Sequence, residues 1–223
     1  MSDQSLPYVE VNPSSKAKAT VIWLHGLGDS GNGFAPIVPE LKLPAELAIR
    51  FVFPHAPTRP VTINNGMSMR AWYDITSLDF NNRADSQGVK ESSALVSDLI
   101  EKEIAQGIPA NKIVLAGFSQ GGVIALNLGT RYEKSLAGIM SMSSYMSEPE
   151  SLSSEAHVAN KNTPIYVAHG THDDVVPIFM GNAAFKVLES NGYSASWHEY
   201  SMQHNVCVQQ LDDISNWLQL LLH

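Results

Sequence analysis

The stretch GFSQGG, residues 117–122, sets a serine between glycines two positions away on each side, directly after the apolar run KIVLA. This G-x-S-x-G pattern, preceded by a strand and followed by a helix, suits a nucleophilic Ser119 at the tip of a sharp turn, where larger neighbours would collide with backbone. A serine hydroxyl attacks poorly at neutral pH until a base takes its proton, so a histidine oriented by a carboxylate must stand beside it. For this kind of turn the partners follow the serine in the order acid, then histidine. Two later segments can supply them: HGTHDDVVP (169–177), with the adjacent Asp173 and Asp174, and SMQHNV (201–206), with His204. His198 competes, but it falls inside a β-rich run where its neighbours fix its direction. The negative charge that develops on the substrate oxygen needs donors already aimed at it. One is the backbone N–H of Gln120, directly after the nucleophile. The other belongs to the glycine-bearing loop HGLGDSG (25–31), where Leu27 is placed to donate.

Other chemistries fit less well. A phosphate-binding loop would want GxGxxG or GxxxxGK[ST], and neither occurs in this glycine-rich turn. His169, His172 and Asp173 could offer a metal three ligands, yet the HExxH pattern is absent. Cys207 is the only cysteine, which rules out an internal disulfide and a cysteine-based zinc site. No metal is expected.

These residues must be held by an ordered scaffold. TVIWLH (20–25), IRFVFP (49–54), KIVLAG (112–117), LAGIMSMS (136–143), PIYVAH (164–169) and SASWHEY (194–200) read as strands, and the continuously apolar ones as parallel strands buried on both faces. LPYVEV (6–11) is a candidate edge strand. Val89, Val96, Leu99, Ile100 and Ile104 recur at helical spacing, with Asp85 or Ser86 as cap and Gly107 and Pro109 as the stop. Further helices are expected at 121–131, 178–190 and 206–221. The alternation predicts an α/β fold with a mostly parallel sheet and helices on both faces. Ligands of such sheets bind beyond the carboxyl ends of the strands, where Ser119, HGTHDD and His204 all fall. The stretch from about residue 56 to 86 is too long for an ordinary connection and reads as a substrate-covering excursion. A Ser/Glu-rich tract at 143–160 reads as a second, surface excursion.

The chain has 223 residues, 44% of them hydrophobic, which suits one well-buried domain over 1–223. A net charge of −8 without a basic stripe argues against nucleic acid as a partner. The opening MSDQSLPYVE has no basic or apolar targeting region, and no apolar run is long enough for stable membrane insertion. With a single cysteine, a cytoplasmic location is the expectation.

Taken in order, VIWLHGLGDSG, PHAPTRPVTINNGMSMRAWYDI, GIPANKIVLAGFSQGG, HGTHDDVVP and MQHNVC resemble the carboxylesterase and acyl-protein thioesterase family of α/β-hydrolases over residues 6 to 221. The resemblance implies Ser119, Asp173 and His204 as a catalytic triad, Leu27 and Gln120 as the oxyanion hole, and no cofactor. It selects Asp173 because the family's D-x-x-V-P spacing, completed by Val176 and Pro177, starts there; Asp174 is left to face solvent or cap the next helix. It also implies an apolar acyl groove formed in part by residues 58–75, to which Met67, Met69 and Trp72 could contribute. Substrates would be small esters, acyl thioesters or lysophospholipids, with an acylated protein as a further partner; homodimers are familiar in that family. MQHNVC is less glycine-rich than the family's usual form of this block. A serine peptidase on the same fold is the nearest alternative, though the N-terminus resembles no gating domain. A silent binding protein is another, though such relatives tend to lose the serine or histidine.

Overall fold

The computed structural model describes residues 5–77 and 83–223. Seven strands form one sheet: β1 (Tyr8–Val11), β2 (Ala19–Leu24), β3 (Ile49–Pro54), β6 (Ile113–Phe118), β7 (Gly138–Met142), β8 (Ile165–Gly170) and β9 (Ala195–Tyr200). Two more, β4 (Thr58–Val61) and β5 (Met67–Arg70), pair separately. The helices are α1 (Gly31–Phe34), α2 (Ile37–Glu40), α3 (Ser86–Ala105), α4 (Gln120–Arg131), α5 (Leu152–Glu155), α6 (Ile178–Ser190) and α7 (Val208–Leu222).

The large sheet runs β1-β3-β2-β6-β7-β8-β9, with every pairing parallel except that of the edge strand β1 on β3. Strands β2, β6, β7 and β8 are buried at every position, as the continuous apolar runs predict for strands covered on both faces. Two apolar clusters fill the space on the sheet's faces. One joins α3 and α4 through Val96, Ile100 and Ile124, and the other joins α7 through Ile214 and Leu218. The Asp85 carboxylate caps α3 by accepting from the Gln87 and Gly88 N–H groups, and Gly107 at φ 100 turns the chain out of that helix. Strand order reverses direction between β2 and β6, so the loops leaving these adjacent strands diverge and open a crevice.

The excursion after β3 is more ordered than its irregular sequence suggests. Strands β4 and β5 form an antiparallel hairpin with Val61 opposite Met67, closed by Asn65 and Gly66, both left-handed at φ 55 and 73. Asn-Gly is a turn signal, but the short flanking runs TRPV and MSMR hide it. Residues 71–73 then dive inward and are wholly buried. Residues 78–82 of the excursion lie outside the described residues. The 143–160 tract is only partly a surface excursion, because Tyr145, Leu152 and Asn160 are buried within it. Asn160 accepts from the Leu136 N–H and donates to the Tyr132 and Lys134 carbonyls, so this tract braces the start of β7. Among the described residues no helix is long and apolar enough to cross a membrane.

Candidate active site

Ser119 sits between β6 and α4 at φ 53 and ψ −120, a conformation costing on the order of 1–3 kcal/mol that the surroundings must impose. Its N–H donates to Met142 O (2.9 Å), and its carbonyl accepts from Ser144 Oγ (2.7 Å) and the Gly122 N–H (2.9 Å). The flanking glycines permit the turn by close approach. A Cβ on Gly117 would lie 2.1 Å from Gly121 O, and one on Gly121 would lie 2.3 Å from Leu24 O. Alanine at either position therefore collides with backbone.

Beyond the end of β8, Asp173 is buried. Its Oδ1 accepts from the Val175 (3.0 Å) and Val176 (2.8 Å) N–H groups, and its Oδ2 accepts from His204 Nδ1 at 2.7 Å. Burial alone would raise this carboxyl, but the bonds from His204, Val176 and Val175 outweigh it and hold the group below its ordinary value. With Nδ1–H spent on Asp173, His204 keeps Nε2 as a free acceptor. The His204 ring lies 4.7 Å, centroid to centroid, from Phe118, the residue before Ser119, so the Asp173–His204 pair and the elbow meet beyond the carboxyl ends of the strands. His198 is elsewhere, stacked at 4.1 Å on Tyr166 with Nε2 2.9 Å from Ser196 Oγ.

The other acidic and imidazole groups of HGTHDD diverge. Asp174 is exposed and caps nothing, since α6 begins after Pro177 with no side-chain cap. His172 is exposed beside Thr171, whereas His169 is fully buried behind Asp173. His169 Nε2–H donates to Val176 O at 2.7 Å. Burial holds that ring below its ordinary value, so its 3.5 Å approach to Asp173 is a dipolar contact and not an ion pair. Its role is to fix the loop whose amides bind Asp173. Among the described residues, no three His, Cys, Asp or Glu side chains converge as a metal set.

The buried imidazoles carry a pH signature. Burial also lowers His25, so both His25 and His169 resist protonation in the folded protein. Below the ordinary value of 6.5 the unfolded chain takes up protons that the folded protein refuses, and stability falls with pH until the folded groups titrate too. His169→Gln keeps a donor towards Val176 O but cannot titrate. Its urea midpoint should drop less than the wild type's between pH 7 and 5.5; equal drops would assign the pH dependence to other groups.

The N–H of Gln120 opens α4 and, like any first-turn donor, has no intrahelical acceptor. The Leu27 N–H has no acceptor among the described residues. A cavity of about 240 Å³ joins these two residues and Ser119, walled also by Ile63, Tyr73, Ile75, Tyr145 and Val176. The three groove candidates from the sequence do not wall it. Trp72 is fully buried, with its indole N–H on His25 O, so it belongs to the core. Met67 is 65% exposed near the hairpin turn, and Met69 packs beside Asn64, which donates to its sulfur. Ile63, in the turn of the hairpin, and Ile75, beyond its second strand, wall the cavity instead, while the Met69 sulfur lies against Gly28 of the neighbouring loop. Apolar character alone does not single them out, because Val61, Met67, Met69 and Trp72 share the same stretch.

Comparison with known proteins agrees with this architecture. The family model described as Phospholipase/Carboxylesterase matches residues 7–222. The chain is 38% identical over 220 residues to acyl-protein thioesterase 1 of Yarrowia lipolytica, covering 96% of this chain and 97% of that protein. It is 39% identical over 229 residues to acyl-protein thioesterase 1 of Neurospora crassa, covering 95% and 90%. The crystal structure of Arabidopsis thaliana SOBER1 superposes with a TM-score of 0.88 at 33% identity, covering 93% of this chain and all of that one. The chain therefore belongs to the phospholipase/carboxylesterase family, has the α/β-hydrolase fold, and is a hydrolase of esters or thioesters.

Proposed function

We propose that this enzyme cleaves acyl esters and acyl thioesters, including acyl groups carried on protein, through a covalent acyl-enzyme on Ser119. His204 Nε2 takes the hydroxyl proton as Oγ attacks the carbonyl carbon, then returns it to the departing alcohol or thiol. Asp173 holds the imidazole in the Nδ1–H tautomer and stabilises the imidazolium. The Leu27 and Gln120 N–H groups receive the oxyanion. Water, activated by the same histidine, then releases the acid. The observation that carries this reading is the 2.7 Å bond from His204 Nδ1 to Asp173 Oδ2, beside a serine held at φ 53. The acyl-protein thioesterase names of the relatives support thioesters as substrates.

Fluorophosphonate labelling tests the nucleophile: the label should fall on Ser119 and vanish in Ser119→Ala. A protein that takes no label while folded would remove the reading.

The acyl chain is assigned to the cavity walled by Leu27, Ile63, Ile75 and Val176. Rates on esters and thioesters should rise by up to roughly fourfold per methylene, the equivalent of about 0.8 kcal/mol each, and level off once the cavity is full. Ile63→Trp fills part of that space and should shift the plateau to shorter chains, while the acetyl substrate reacts as before. Equal losses at every chain length would place the acyl group elsewhere.

A further inference from the structure

Two buried polar groups beside the site make no bonds to substrate in the proposed mechanism: the side-chain amide of Gln120 and the indole N–H of Trp72. Both tie the oxyanion donors to one stretch of the excursion, residues 70–73. On the Leu27 side, the Trp72 indole N–H donates to His25 O at 2.8 Å, and the Gly28 N–H donates to Arg70 O at 2.8 Å. Residues on both flanks of Leu27 are thus fixed to 70–72. On the other side, Gln120 Oε1 accepts from the Trp72 N–H at 3.0 Å, and Gln120 Nε2 donates to Tyr73 O at 2.9 Å. The side chain of Gln120 completes the backbone of 72–73 as a neighbouring strand would. Ser92 Oγ of α3 bonds Trp72 O from behind.

A role in packing does not account for this arrangement. A side chain that only filled the volume beside the elbow could be apolar, whereas burying an amide requires that both its ends be paired. Gln120 is 2% exposed and paired at both ends, and Trp72 is wholly buried. Away from water such bonds are strong and their geometry is stiff. Stiffness matters here because oxyanion donors act only within about 2.7–3.1 Å of the developing charge.

We infer that the Gln120 side-chain amide and the Trp72 indole are positioning groups, which set the spacing between the Leu27 and Gln120 backbone donors. The inference rests on the oxyanion assignment proposed above. It also gives the excursion a part in catalysis besides covering substrate: residues 70–73 act as the ruler between two loops that leave different strands.

Gln120→Met keeps length and volume but loses both bonds; Trp72→Phe keeps an aromatic ring but loses the N–H. Each variant is compared with wild type for kcat, KM, melting temperature and inhibition by an alkyl trifluoromethyl ketone. In that adduct Ser119 Oγ bonds the ketone carbon, its proton passes to His204, and the former carbonyl oxygen becomes the oxyanion. We expect kcat to fall about 10- to 100-fold, less than or comparable to loss of one whole donor, with KM within about twofold. The ketone inhibition constant should rise by the factor lost in kcat/KM, in protein that remains folded at the assay temperature. Unchanged kcat and ketone affinity in folded Gln120→Met overturn the inference, as does a loss confined to KM, or a fall in kcat with ketone affinity intact. If Trp72→Phe does not fold, Gln120→Met decides alone. The underlying catalytic reading fails separately: in that case Ser119→Ala binds the ketone as tightly as wild type does.

Discussion

Ester and thioester turnover should fall about 10⁴-fold or more in Ser119→Ala, with the fold intact. The fold survives because the bonds that shape the elbow fall on the backbone groups of Ser119 and not on its hydroxyl. The Ser119 N–H to Met142 O, and the Ser144 Oγ and Gly122 N–H to Ser119 O, do not involve the hydroxyl. The glycine contacts that force the turn are likewise unchanged. What disappears is the atom that attacks. Oxyanion donors and a shaped cavity can still favour direct attack by water, so a small residue of activity over the uncatalysed rate is expected. Steady-state kinetics on one short ester and one acyl thioester, with a thermal melt as control, decide the matter. Near-normal turnover in a folded Ser119→Ala protein would refute the nucleophile assignment.

A loss of similar size is expected for Asp173→Asn, and almost none for its neighbour Asp174→Asn. In Asp173→Asn the amide oxygen can still accept from the Val175 and Val176 N–H groups, so the loop should keep its shape. The amide nitrogen then faces His204 Nδ1, a donor opposite a donor. The ring escapes by moving its proton to Nε2, which leaves nothing to accept the Ser119 proton, and turnover should fall on the order of 10⁴-fold. Asp174 is exposed and caps no helix, so its amide variant should keep turnover within about twofold and stability within about 0.5 kcal/mol. A severe loss in Asp174→Asn beside a mild one in Asp173→Asn would exchange their roles. The chemical similarity of the two side chains makes the comparison sharp, because only their positions differ.

Much of the scaffold follows from local chemistry that a sequence displays. Continuous apolar runs such as KIVLA have nowhere to go but a strand buried on both faces, and the 3.6-residue spacing of Val89, Val96 and Ile100 demands a helix with one buried face. The elbow is equally local: its glycines are required by contacts within five residues or with the adjacent strand, so GFSQGG announces Ser119 by itself. Position after a strand brings Asp173 and His204 to the same rim, although they stand 31 residues apart in the chain. Which of two adjacent aspartates turns inward was legible only through the resemblance to a family.

The excursion was decided by tertiary structure. Composition marks residues 56–86 as irregular, but side-chain direction there depends on pairing register. In the folded chain Ile63 and Ile75 line the cavity, Met67 is left in solvent, and Trp72 is buried with its indole on the His25 carbonyl. A tryptophan in such a stretch reads as groove lining, because its large apolar face is visible in the sequence and its hydrogen-bond partner, the carbonyl of His25, is not. The same is true of Gln120. Its place after the nucleophile advertises a backbone donor, but its side-chain amide is bound to residues 48 and 47 positions away, and only the folded chain brings those groups within 3.0 Å. Periodicity and turn chemistry are short-range and are written in the sequence; long-range hydrogen-bond partners in irregular backbone are set by how the finished layers pack.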